Sequence, residues 1–160
     1  MAKLKLSKNK ETVVDDEDFE YLSKWKWSYS SSGYAVRQNK GKLVSMHRQI
    51  IKPKKRLVVD HINGDKLDNT RKNLRICTVS QNCHNSNVHK DSRTGLKGVT
   101  FEKQQVNKPW RARIMVRGEK TDLGLFKTKQ GAHKAYLSAA QDKQGEFFPN
   151  HLFKAELFAN

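Results

Sequence analysis

The chain predicts an α+β architecture assembled from small modules, and three observations carry that expectation. Residues 110–117, WRARIMVR, alternate apolar and largely basic side chains with period two, the pattern of a half-buried strand. Further on, Ala132, Ala135, Tyr136, Ala139 and Ala140 recur at helical spacing, a small-residue face suited to lying closely on a sheet. Earlier, residues 57–87 follow the order strand, long polar loop, strand, helix. The chain has 160 residues and 36% hydrophobic content, with three Trp, four Tyr and seven Phe, so its cores are small.

Charge narrows the class of partner. There are 32 Lys and Arg against 16 Asp and Glu, a formal net charge of +16, and such an excess points to a polyanion, most often nucleic acid. A ribosome-associated protein would share this balance. Two cysteines, Cys77 and Cys83, cannot build a disulfide framework, which suits a reducing compartment and a cytoplasmic location. No apolar run approaches the ~18 residues of a membrane span. The N-terminal MAKLKLSKNK is basic but lacks the apolar stretch of a secretory signal. Neither a membrane nor a small-molecule substrate is expected.

Four segments follow in order. Residues 1–56 form an N-terminal α+β segment expected to pack on the unit after it. Asp15 and Asp16 can start a helix in which Phe19, Leu22 and Trp25 or Trp27 mark a buried side. Residues 34–38 and 43–46 pair as a β-hairpin around Asn39 and Gly41. HRQIIK, 47–52, makes one or two helical turns before Pro53, with His47 as a capping or packing residue. Residues 57–90 form the second unit, with strands at 57–62 and 74–77 and a helix capped by Thr78 or Ser80. Residues 95–150 hold strands at 97–103, 109–118 and 123–126, then a helix capped by Thr128. Residues 151–160 are a tail.

The second unit carries the chemistry. Asp60 offers a hard anionic oxygen and Asn82 a neutral carbonyl oxygen, a donor set that suits Mg²⁺ or Mn²⁺. His61, left off the metal, can be neutral near pH 7 and act as a general base. Each of these residues taken singly is equally at home in a turn or a helix cap. Their joint spacing is what favours catalysis. Cys77, Cys83, His84 and His89 have a spacing that fits no usual zinc finger or knuckle, and His84 and His89 suit a solvated helix end. Asp65 and Asp68 are simplest as turn and loop residues.

DHINGDKLDNTRKNLRICTVSQN, 60–82, resembles the HNH endonuclease motif of the phage and intron-associated homing branch, in which Asn replaces the last His. The resemblance implies a metal-dependent DNA endonuclease. His61 would be the general base, Asp60 and Asn82 would hold one Mg²⁺ or Mn²⁺, and Asn73 would brace the loop and orient His61 by a hydrogen bond. Its products would be 5′-phosphate and 3′-hydroxyl ends. KGVTFEK, WRARIMVRG, LGLFKT and GAHKAYLSAA, within 97–150, resemble the AP2-type DNA-binding domain, whose sheet lies in the major groove.

On that resemblance Arg111, Arg113 and Arg117 would face double-stranded DNA, with Lys97 and Lys103 on the neighbouring strand. No acidic residue lies between Trp110 and Gly118 to pair with the arginines, whereas Trp110 itself suits core packing against Tyr136. Lys54, Lys55 and Arg56 suit a backbone contact or a solvated loop. A monomer or weak dimer is expected. The rival reading is a DNA-binding regulator whose HNH unit is a non-catalytic remnant.

Overall fold

The structure, a computed structural model, describes residues 1–85, 88, 92–116 and 118–147. Among them, four α-helices and ten strands in four small sheets make a mixed α+β fold. The chain divides into two compact units, Met1–Asn82 and Cys83–Asn160.

The first unit opens with an antiparallel pair, β1 (Ala2–Lys5) and β2 (Glu11–Val14). The turn between them uses Lys8 and Asn9 at φ 60° and 53°, the handedness a tight hairpin requires. This pair was not expected, although Lys3-Leu4-Lys5-Leu6 alternates and buries Leu4 and Leu6. Helix α1 (Asp16–Ser23) starts after Asp15, whose carboxylate accepts from the Arg71 backbone N–H instead of capping its own helix. Strands β3 (Ser28–Tyr29), β4 (Ala35–Asn39) and β5 (Lys42–Ser45) form a meander, and α2 (Met46–Ile51) ends at Lys52 in the left-handed region.

Strands β6 (Val58–His61) and β7 (Leu74–Cys77) pair antiparallel, with Asp60 opposite Arg75 and His61 opposite Leu74. Leu4, Val14, Leu22, Trp27, Met46, Val59 and Leu74 share one core, so the N-terminal elements and the β6–β7 pair exclude water together. Helix α3 (Val79–Asn85) begins with a capping box. The Gln81 N–H donates to Thr78 Oγ1 at 3.2 Å, and the Thr78 N–H donates to Gln81 Oε1 at 2.8 Å.

In the second unit β8 (Val99–Phe101), β9 (Trp110–Val116) and β10 (Glu119–Phe126) form an antiparallel sheet, with β9 central and α4 (Lys129–Gln144) laid across it. Thr128 caps α4 by accepting from the Gly131 N–H at 3.0 Å. The buried face of α4 is Ala132, His133, Tyr136, Leu137 and Ala140, rotated slightly from the all-small face expected. The larger Leu137 takes the burial that the spacing had assigned to Ala135. Gly98 is obligatory here: a Cβ would come within 2.0 Å of the Tyr136 ring. Trp110 packs with Val99, Ala112 and Ala132 and meets Phe101 edge-on at 5.0 Å, whereas Tyr136 packs with Ile114 in the adjoining cluster.

Candidate active site

Asp60 and His61 end β6, and both are buried, at 6% and 5% exposure. A strand end lets adjacent residues line one site, and the loop that follows closes over them. Within that loop, short polar side chains bond to the neighbouring backbone. The Asp65 N–H donates to Asn63 Oδ1, the Leu67 N–H to Asp65 Oδ1, and the Thr70 hydroxyl to Asp68 Oδ1 at 2.6 Å. Asx and hydroxyl turns of this type give a chain without regular structure a definite path.

The loop is also stitched to β2. The Val13 N–H donates to the Leu67 carbonyl at 2.9 Å, and the Asn69 N–H to the Val13 carbonyl at 2.8 Å. Thr12 Oγ1 donates to the Leu67 carbonyl at 2.7 Å and accepts from Asn69 Nδ2 at 2.8 Å. This turns Asn69 Oδ1 toward the imidazole of His61, 3.3 Å from Nε2. An amide oxygen only accepts, so Nε2 carries the proton and Nδ1 is the basic nitrogen. Thr12 and Asn69 are both completely buried, so the relay is shielded from water.

Asn73 does not take the orienting position expected of it. Its Oδ1 accepts from the Asn63 N–H at 3.0 Å, and its Nδ2 donates to the Asp68 carbonyl at 2.8 Å. It therefore ties the two ends of the loop together, and Asn69 is the amide on the ring. The reason is positional. Asn73 immediately precedes β7, and its own carbonyl is already in the ladder, accepting from the Ile62 N–H.

Two aromatic neighbours stand beside His61. The His47 ring on α2 lies 5.0 Å away, edge-on, and Tyr34 lies 5.9 Å away. Burial holds the His61 imidazole below its ordinary pKa, opposed by the Asn69 hydrogen bond and by Asp60, Asp65 and Asp68. Burial also pushes His47 down to about 3, assisted by His61 and Arg48. Burial, with Asp60 nearby, raises the Tyr34 phenol. His47 is thus a site neighbour that the sequence reading assigned to packing or capping. Its position in Met46-His47-Arg48, at the start of a helix, gave no local sign of the contact.

Asp60 is matched by Arg75, whose Nε and Nη2 both reach Oδ2, at 2.9 and 2.7 Å. Asn82 lies on α3, half-buried, with its N–H bonded to the Thr78 carbonyl. The donor chemistry of one carboxylate and one amide oxygen fits a hard, oxygen-seeking cation rather than zinc. Among the described residues, no three His, Cys, Asp or Glu side chains gather as a metal cluster. The His84 side chain and His89 lie outside the described residues, and so does Arg117.

Arg111 and Arg113 project from β9 on the face away from α4, but they have acidic partners that the 110–118 stretch conceals. Glu102 and Asp122, from either side of β9, approach both arginines at 3.3–3.9 Å. Sheet formation brings these acids across from segments distant in sequence. Lys97 precedes β8 and turns inward: its Nζ donates to the Cys83 carbonyl at 3.0 Å, and burial lowers it to about 8. Lys103, Lys54, Lys55 and Arg56 are exposed. No helix among the described residues is long and apolar enough to cross a membrane.

A family model described as HNH endonuclease matches residues 52–84. An HNH endonuclease of Acanthamoeba polyphaga mimivirus is 32% identical over 132 residues, 79% of this chain and 66% of that protein. Protein 3.8 of Escherichia phage T7 is 31% identical over 61 residues, covering 38% of this chain and 49% of its own length. No solved structure matches. The loop that orients His61 and the buried Asp60 before it both fall inside the matched segment, and the chain therefore carries an HNH endonuclease family domain.

Proposed function

We propose that the protein is a DNA endonuclease of the homing type, acting on double-stranded DNA as a monomer or weak dimer. The observation that carries this reading is the Thr12–Asn69–His61 relay, which puts the ring proton on Nε2 and leaves Nδ1 basic. In the proposed reaction Nδ1 takes a proton from a water molecule as its oxygen bonds to phosphorus. The P–O3′ bond then breaks and the departing O3′ takes a proton from solvent water, giving 5′-phosphate and 3′-hydroxyl ends. Asp60 and Asn82 would hold one Mg²⁺ or Mn²⁺. The chemistry such an ion supplies when bound is charge stabilisation at the phosphate and the leaving oxygen.

Sequence preference has to come from elsewhere, because phosphate contacts carry no base information. The β8–β10 sheet is proposed as an AP2-like reading surface, with Arg111 and Arg113 exchanging Glu102 and Asp122 for base edges or phosphates. Arg117, Lys103, Lys54, Lys55 and Arg56 would contribute further backbone contacts. Lys97, bonded to Cys83, contributes less directly than its place in the sequence suggested.

Supercoiled plasmid incubated with Mg²⁺ or Mn²⁺, with EDTA, and with His61→Ala tests the central reading. Cutting that requires the metal and falls by about 10²–10⁴-fold in the variant is expected, the range for loss of a general base. Tight DNA binding without cleavage of a cognate target would instead favour the regulator reading.

A further inference from the structure

Asp60 is the only carboxylate in the donor set proposed for the cation, and it already has a positive partner. Arg75, its register partner across the β6–β7 pair, directs both Nε and Nη2 to Oδ2. The pair is buried, with side-chain exposures of 7% for Asp60 and 13% for Arg75, so water screens it weakly. Two further carboxylates, Asp65 and Asp68, stand on the loop and act on the neighbouring His61. Asp68 is occupied by Asn63 and Thr70, and Asp65 lies exposed on the loop with one oxygen on the Leu67 N–H. Lys66 adds a positive charge 4.7 Å from the centre of the Tyr34 ring. Divalent-cation affinity follows the number of charged oxygen ligands.

We infer that Arg75 makes retention of the divalent cation conditional on DNA. The Asp60–Arg75 pair is too nearly neutral to hold the ion alone, and a backbone phosphate supplies the missing negative charge. This rests on the nuclease reading and deepens it. Arg75 then acts through the Asp60 carboxylate, as a positioning residue. Because binding energies are linked, the ion and the DNA must strengthen each other by the same factor. A nuclease built this way holds its metal mainly when its substrate is present.

Mn²⁺ binding followed by electron paramagnetic resonance tests this without reference to cutting. With His61→Ala as a non-cutting background, a short mixed-sequence duplex should tighten Mn²⁺ binding by about 10-fold or more over protein alone, after subtraction of a DNA-only control. Arg75→Gln in that background should bind Mn²⁺ about 10-fold more tightly without DNA and lose much of the DNA-dependent gain. Arg75→Lys, which keeps the charge, should stay near the parent. Equal Mn²⁺ affinity with and without duplex overturns the inference, and so does an Arg75→Gln affinity that does not rise. Weaker binding by both variants would show that Arg75 only orients the carboxylate, which also overturns it. If Arg75→Gln fails to fold, the DNA dependence of the parent decides alone. Failure of the wild-type protein to cut plasmid would sink the nuclease reading separately, since the Mn²⁺ measurement does not depend on cleavage.

Discussion

The loop that presents His61 and the arginine face of β9 use polar groups in opposite ways. Around His61 short hydrogen bonds join amides, hydroxyls, backbone groups and the Asp65 and Asp68 carboxylates into one fixed network, with Thr12, Asn69 and Thr70 completely buried. On β9 the partners are full charges, partly open to solvent, with two arginines sharing two acids at 3.3–3.9 Å. Removing one member of the first network leaves buried groups without partners, which is costly. Exchanging one member of the second for another charge costs little, because exposed ion pairs contribute little net stability. One region fixes a geometry; the other holds exchangeable charges, which is what the proposed DNA contact would require.

Asn69→Ala is the strongest way to break that contrast. It removes Asn69 Oδ1 from His61 Nε2 and Asn69 Nδ2 from the Thr12 hydroxyl. Stability should fall by about 1–3 kcal/mol in urea denaturation. On the proposed function, the rate of plasmid cutting should fall by about 10–100-fold, the range for a group that orients a reacting imidazole. An Asn69→Ala protein of normal stability and rate would mean that the relay is not what positions the ring.

His47 sharpens the comparison through pH. Its folded-state pKa, about 3, lies below the ordinary 6.5, so as pH falls below 6.5 the unfolded chain takes up the proton first. Stability is therefore lost on acidification, at about 1.4 kcal/mol per pH unit between 6.5 and about 3. At pH 5 the loss should be about 2 kcal/mol relative to neutral pH. His47→Phe should remove that part of the slope in denaturant melts across the range, while other groups keep theirs. An unchanged slope would place His47 in water rather than in the core.

The smallest effect belongs to the charged face. Asp122→Asn should change stability by no more than about 0.5 kcal/mol, the usual range for an exposed ion pair. DNA affinity at low salt should rise, because Arg111 and Arg113 lose a competitor. A stability loss matching that of Asn69→Ala would show that this face too is a fixed structure and not an exchangeable one.

The order of elements around residues 57–85 was legible in the sequence, and so was the Thr128 cap, because period-two alternation and turn residues are local signals. Asn69 was not. It sits between Asp68 and Thr70 in a loop where any Asn resembles a turn residue, and the partner that defines it, Thr12, is 57 positions away. The acids beside Arg111 escaped for the same reason: cross-strand neighbours are set by register, not by the strand's own composition. Lys97 resembled one more outward cation, and only the fold shows it bonded to a backbone carbonyl.

The bridge between β2 and the loop after β6, Val13 beside Asp68, bears on how the protein comes to life as it is made. A loop that depends on a strand more than fifty residues away cannot be completed by local collapse. Contacts of such long range form late, after the chain has closed a wide circuit. His61 therefore meets a fixed Asn69 only with the first hairpin in place, since Thr12 and Val13 are what hold Asn69.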